Sequence, residues 1–235
     1  MLNIRLAITT LVLICLFVMT ASAGTVSGKI NFSGAKPAAT KLMMNADARC
    51  VKMHAGKNVM SELIFVNANN TLQNVFVYVK KGLEGKKFPL PSEKRKLDQK
   101  GCMYNPHIFG VMTNQPIEIT NSDATLHNIH ALPKNSKQFN IAQPKQNMKM
   151  TQKFDKSEVM VKIKCEVHNW MASYVGVLDH PFYGVSNNQG NFTIKDLPAG
   201  TYELEAWHEK FGTQTMSVTI GASDTKTADF SFQGK

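Results

Sequence analysis

The chain has 235 residues, 43% of them apolar and 19% charged, with 15 Gly and 9 Pro. The apolar share excludes a disordered chain, the Gly and Pro counts exclude collagen-like or low-complexity composition, and the length fits one large domain or two small ones, with two expected. The 27 Lys plus Arg against 17 Asp plus Glu give a formal charge of +10, read first as a solubility charge and second as attraction to an acidic partner or an anionic envelope surface.

In chain order, residues 1–23 come first as an export signal. Arg5 supplies the positive start, Leu6 to Val18 is almost wholly apolar, and Ala21-Ser22-Ala23 is a small-residue cleavage site. The apolar run is shorter than the roughly 20 residues that span a bilayer. Cys15 lies inside it rather than at its end, which argues against lipid attachment. The expectation is a periplasmic mature chain from Gly24, with no membrane span after cleavage.

Beyond Gly24 helical periodicity is almost absent, and short alternating runs rich in Val, Ile, Phe, Tyr and Thr predict strands. They fall at 25–32, 61–66, 74–79, 108–113, 116–120, 128–131, 151–154, 159–164, 172–178, 191–194, 201–207, 213–220 and 227–232. That many short strands implies an all-β chain of sandwiches or barrels. Residues 45–58 and 135–150 fit no strand pattern and read as loops or short helices. The basic run from Lys80-Lys81 through Lys86-Lys87 to Lys94-Arg95-Lys96 and Lys100 is broken by Gly82, Pro89 and Pro91. It reads as a solvated connecting loop first and a docking patch second. It lacks interleaved aromatics, and export removes the chain from nucleic acid, so nucleic-acid binding is not expected.

Without Cys15 three cysteines remain, Cys50, Cys102 and Cys165, an odd number in a compartment that permits disulfides. The informative segment is Cys165-Glu166-Val167-His168-Asn169-Trp170-Met171, between the runs 159–164 and 172–178. A loop of this length brings thiolate, imidazole and thioether within reach of one metal ion. Thiolate and thioether suit Cu(I), imidazole also suits Cu(II), and one Cys, two His and a long axial Met make a one-electron copper site. The second imidazole must come from elsewhere. His127, in Asp123-Ala124-Thr125-Leu126-His127-Asn128-Ile129-His130, follows a turn after the run 116–120. Cys165 thus has a reason to stay unpaired, and Cys50 with Cys102 is the default disulfide. The competing reading pairs Cys165 with Cys50 or Cys102 and leaves His168 and Met171 as ordinary loop and core residues.

With those residues in place, the stretch from about Cys102 to Leu178 resembles a cupredoxin, the blue-copper fold, and in particular the amicyanins. Amicyanins carry a His-Asn-Val-His segment and a short Cys-x2-His-x2-Met loop; this chain has His127-Asn128-Ile129-His130 and Cys165 to Met171. The entry Pro106-His107-Ile108-Phe109-Gly110-Val111, then Gln115-Pro116-Ile117-Glu118-Ile119 and Asn121, is similar as well. The resemblance implies a Greek-key sandwich or barrel, copper held by His127, Cys165, His168 and Met171, and an Asn128 side chain bracing the Cys165 loop. Val167 stands where the family often has Pro, and Trp170 replaces a smaller group beside the axial Met.

A second resemblance begins at Asn188. The turn, the run Asn191-Phe192-Thr193-Ile194, the turn Leu197-Pro198-Ala199-Gly200 and the run Thr201-Tyr202-Glu203-Leu204 look like the end of a carboxypeptidase regulatory-like, transthyretin-type β-sandwich. Its start is matched by residues 24–32 and 72–79. The expected organisation is therefore a cupredoxin-like copper domain at 96–181 inserted between sandwich halves at 24–95 and 182–235; three consecutive small β units are the simpler alternative. Trp207 reads as core, and His208 as an exposed residue or interdomain contact. His130 points to the face opposite Ile129 in a strand, and His54 and His107 read as satisfied structural histidines. The 13 methionines read as core filler before copper-loading surface.

The function expected is outer-sphere electron transfer in the periplasm, as a non-enzyme. No Ser/His/Asp arrangement, phosphate loop or open metal site with a placed base stands out. The partner would be a dehydrogenase or c-type cytochrome docking near His168, the ligand closest to the surface by resemblance, and the likeness to amicyanin extends to methylamine utilisation as a setting. A copper carrier with the same ligands, and an envelope sandwich with no metal, are the competing classes.

Overall fold

The computed structural model describes residues 23–234, so the expected signal, Ala23 apart, and Cys15 lie outside the described residues. Among the described residues there are 17 strands and one short helix, and the all-β expectation holds. The elements run β1 (Gly24–Ser33), α1 (Ala48–Met53), β2 (Phe76–Lys81), β3 (Arg95–Gln99), β4 (Tyr104–Asn105), β5 (Ile108–Met112), β6 (Ile117–Asn121) and β7 (His127–Leu132). There follow β8 (Phe139–Gln143), β9 (Met148–Gln152), β10 (Glu158–Lys164), β11 (Ala172–Leu178) and β12 (Tyr183–Val185). The chain ends with β13 (Asn191–Leu197), β14 (Gly200–His208), β15 (Gly212–Ile220), β16 (Thr225–Thr227) and β17 (Phe230–Gln233). No helix among them is long and apolar enough to cross a membrane.

Two sheets enclose each of two cores. In the first, β1 pairs antiparallel with β13 and parallel with β16 and β17, and the facing sheet runs β12-β2-β14-β15. Val26, Ile30, Leu72, Val77, Ile194 and Leu204 meet between them, all fully buried. In the second, the sheets run β5-β11-β10-β7-β8 and β4-β3-β6-β9, with parallel pairs β5 to β11 and β3 to β6. β4 and β5 follow one another yet lie in different sheets, so the chain turns the corner between layers there, completing the Greek-key sandwich. Leu97, Ile119, Ile129, Val161, Ile163 and Val175 fill this core. Residues 24–33 and 66–83 contribute to the first core, but Leu42, Met44, Cys50 and Val59 pack against the second. The segment 42–59 therefore leaves the sandwich half in which it sits by sequence.

Several expected elements change. The run 61–66 is not a strand; only isolated bridges at Met60 and Val66 flank it, and Leu63 and Phe65 are exposed. Within the basic run, Arg95 and Lys96 open a strand, because Leu97 and Gln99 alternate inward between exposed charges. The patternless 135–150 holds β8 and the start of β9, edge strands whose polar side chains mask the alternation. Residues 45–58 contain α1. In β14, Tyr202, Leu204 and Ala206 set the inward phase, so His208 is the buried residue and Trp207 the half-buried one, the reverse of the expectation from hydrophobicity. Trp207 instead meets Tyr174 of β11, ring centroids 5.2 Å apart.

The two cores meet on a seat made of glycine. Gly110 of β5 and Gly176 of β11 are register partners, and the stacked rings of Phe76 and Tyr183, 5.2 Å apart, lie over them. The Tyr183 hydroxyl donates to the Gly110 carbonyl at 2.7 Å. A Cβ on Gly176 would come within 2.4 Å of the Phe76 ring. Gly176→Ala is expected to cost about 1 to 3 kcal/mol by overpacking this contact, read as a lower urea midpoint; an unchanged midpoint would show that the units do not depend on it.

Candidate metal centre

Strand phase places the first two site residues. In β7, His127 shares the inward face with Ile129 and Ala131, all fully buried. In β10, Val161 and Ile163 point inward, and Cys165, one position beyond the strand, continues that phase. The antiparallel pairing Lys164 to His130 sets the start of β7 beside the end of β10. The loop from Cys165 then folds tightly on itself. The His168 N–H points at the Cys165 Sγ at 3.4 Å, the Met171 N–H donates to the His168 carbonyl at 2.9 Å, and the Cys165 N–H reaches the Met171 carbonyl at 3.3 Å. Asn128 braces this loop as expected: its Oδ1 accepts the Glu166 N–H at 2.7 Å and lies 3.2 Å from the Cys165 sulfur.

One nitrogen from each of His127 and His168 and the Cys165 Sγ lie within 4.8 Å of one another, all buried. Met171, on the same loop, is fully buried. Each imidazole has one committed nitrogen. His127 Nε2 donates to Asp123 Oδ2 at 2.9 Å, and His168 Nε2 donates to Asp47 Oδ2 at 3.1 Å. Burial pushes both carboxyls up, but hydrogen bonds outweigh it and hold both below their usual range. For Asp123 these come from His127 and the Cys102 and Gly101 N–H groups; for Asp47, from the Arg49 N–H, His168 and Thr125. An ionised carboxylate only accepts, so both Nε2 atoms carry the proton.

The remaining nitrogens, His127 Nδ1 and His168 Nδ1, then face each other at 2.9 Å. With Nε2 protonated, a neutral imidazole has only a lone pair at Nδ1. Two lone pairs at that distance repel, and a proton or a cation between them removes the repulsion. Burial works against charge on His127, but its bonds with Asp123 and Cys165 hold its pKa above the usual value, so a proton can fill this place, and the sulfur beside it makes the same place suited to a metal cation. Burial raises the Cys165 thiol, but a hydrogen bond with His127 and the backbone N–H groups of Asn128, His168 and Val167 outweigh it and bring it below its usual value. The candidate donor set is thus two imidazole nitrogens and a sulfur shifted toward thiolate, a combination suited to copper.

His168 is covered, only 1% exposed. Asp47 covers its Nε2, Cys50 Sγ lies 3.5 Å away, and the Trp170 ring is 5.0 Å off between centroids, held by a bond from its Nε1 to the Cys102 carbonyl at 3.0 Å. Cys50 and Cys102 form the default disulfide, with Cα atoms 5.7 Å apart, and Cys165 is free.

The other histidines are structural. His54 donates to the Gly101 carbonyl at 2.7 Å, and half-buried His130 pairs with Glu166. His107 is buried between the Ala172 carbonyl and Glu209. Burial holds His208 down at about 4, and its Nδ1 accepts the Lys210 and Phe211 N–H groups. The carboxylates on His127 and His168, Asp123 and Asp47, were missed in the sequence. Asp123 lies four residues before His127, within reach of a local search; Asp47 lies 121 residues from His168, with no local signal.

Comparison with known proteins adds the following. The carboxypeptidase regulatory-like domain family matches residues 177–233, the part that carries the second resemblance. No curated protein sequence matches the chain. Among solved structures, the chain is similar to a purple cupredoxin from Nitrosopumilus maritimus, with 20% identity over 36% of this chain and 99% of that one, at a TM-score of 0.31. It is also similar to an oxidised variant of amicyanin, with 18% identity over 50% and 93%, at 0.32. A copper-containing nitrite reductase from Thermus scotoductus SA-01 is similar at 14% identity over 43% of this chain, at 0.35, and this chain spans 26% of that enzyme. The described residues form two β-sandwiches, and the regulatory-like match covers β12 to β17 of the first.

Proposed function

We propose that this chain is an exported copper protein that passes single electrons between periplasmic redox partners. The observation that carries the reading is the pair of imidazole Nδ1 atoms 2.9 Å apart, each ring oriented by a carboxylate at its Nε2, beside a thiol shifted toward thiolate. His127, Cys165 and His168 would hold the metal, with Met171 as the axial thioether. Copper, when bound, supplies a one-electron couple. The protein's part is to keep these donors in place in a buried pocket, so that little rearranges between oxidation states.

The division expected from the sequence is retained, with sandwich halves at 24–95 and 182–235 around a copper unit at 96–181, except that 42–59 serves the copper unit. The reading is of an electron carrier rather than an enzyme, since the side chains of His127, Cys165, His168 and Met171 are all buried. With His168 covered, the exposed apolar side chains next to the ligands in sequence are Val167, before His168 and 46% exposed, and Leu126, before His127 and 39% exposed. A dehydrogenase or c-type cytochrome would dock there.

The test is to add one equivalent of Cu(II) to the mature protein and record visible and EPR spectra. An intense thiolate-to-copper band with narrow copper hyperfine splitting is the expected result. Tight Cu(I) binding without such a band would make the protein a carrier, and no copper binding by the folded, reduced-thiol protein would overturn both.

A further inference from the structure

We propose that the segment 42–59 is a working part of the metal centre, with Asp47 the positioning residue for His168 and the Cys50–Cys102 disulfide the latch that holds Asp47 in place. This rests on the copper reading above. It assigns to residues outside both sheets of the copper unit the task of closing the site.

The two oxygens of Asp47 are used differently. Oδ1 accepts the Arg49 N–H at 2.8 Å and so caps α1. Oδ2 accepts both His168 Nε2–H at 3.1 Å and the Thr125 hydroxyl at 3.0 Å. One carboxylate thereby joins the helix, one ligand, and the turn two residues before the other ligand. Arg49 adds a second strap, its Nη1 reaching the Ala124 carbonyl at 3.4 Å and Thr125 Oγ1 at 3.3 Å.

The disulfide completes the device. Its Cys50 end touches His168 Nε2, and its Cys102 end donates an N–H at 2.7 Å to Asp123 Oδ2, the oxygen that also accepts from His127. Both ligand histidines are therefore oriented by carboxylates whose own positions depend on the same covalent bridge. Partners of this kind control ligand orientation and metal retention. A His168 left in an open loop would exchange its metal with solvent; here the cap must lift first.

A purely structural role for Asp47, capping α1, makes a different prediction. Ser is as good an N-cap as Asp but is too short to reach His168. In the apoprotein, Asp47→Ser is expected to raise the rate of His168 carbethoxylation by diethyl pyrocarbonate, followed by peptide mass spectrometry, about tenfold. In the copper-loaded protein it is expected to speed transfer of copper to a chelator about tenfold to hundredfold. Asp47→Asn keeps one acceptor oxygen, enough for Arg49 or for His168 but not for both, and should fall between; it carries the test if the Ser variant does not fold. Wild-type rates in a folded Ser variant would overturn the proposal and leave Asp47 as a helix cap. If wild-type protein takes up no copper, the copper reading fails on its own, and the apoprotein labelling still decides whether Asp47 holds His168.

Discussion

Cys165→Ser is expected to abolish the intense visible absorption of the Cu(II)-loaded protein while leaving the fold in place. The band requires a sulfur ligand that shares charge with copper, and a hydroxyl is a hard donor that does not. The fold should survive because Ser keeps the shape of the side chain in this pocket. Its hydroxyl can still donate to Asn128 Oδ1, 3.2 Å from the sulfur, and accept the His168 N–H. The stability change should stay within about 1 kcal/mol. Visible absorption, EPR and urea denaturation of the same sample separate the two effects. A variant that retains the band would remove Cys165 from the ligand set, and one that unfolds would make the thiol structural.

The place of the Cys165 to Met171 loop was legible because its candidate donors are contiguous and the runs on either side alternate as strands, and β10 and β11 flank it as read. His127 was legible for a different reason: in a strand every second residue faces inward, and Ile129 and Ala131 fix its phase. Asn128 came from the resemblance, and its bonds to Glu166 and Cys165 bear that out.

What was not legible is long-range or masked. Asp47 lies in a segment without periodicity, and only the tertiary fold brings it to His168. For the same reason the cover over His168 was not foreseen, since the covering segment lies outside the part of the chain that carries the resemblance. β3 was hidden by its charges, as Leu97 is its only apolar residue and its other inward side chain, Gln99, bonds to buried Gln143 at 2.6 Å. The exchange of Trp207 and His208 shows phase overriding hydrophobicity. A buried neutral imidazole that accepts two N–H groups fits the core face set by Tyr202, Leu204 and Ala206, while the larger Trp207 serves the contact between the two units.

The largest stability effect should come from the disulfide. Cys50 and Cys102 are 52 residues apart in sequence, and a loop of that length corresponds to about 4 kcal/mol in the chain-entropy treatment. The loop contains β2, which belongs to the first core, and β3, which belongs to the second. The bridge therefore restrains the passage of the chain between units as well as the cap over His168. Cys50→Ser/Cys102→Ser is expected to lower the unfolding free energy by about this amount, measured by urea denaturation, and reduced wild-type protein should match it. The bridge is buried in the second core and Cys50 Sγ touches His168, so some packing is lost as well. A loss below about 1 kcal/mol would mean that the denatured chain gains little freedom when the bond is absent. In that case the bridge would serve only to hold Asp47 on its ligand, and its removal would still speed copper exchange.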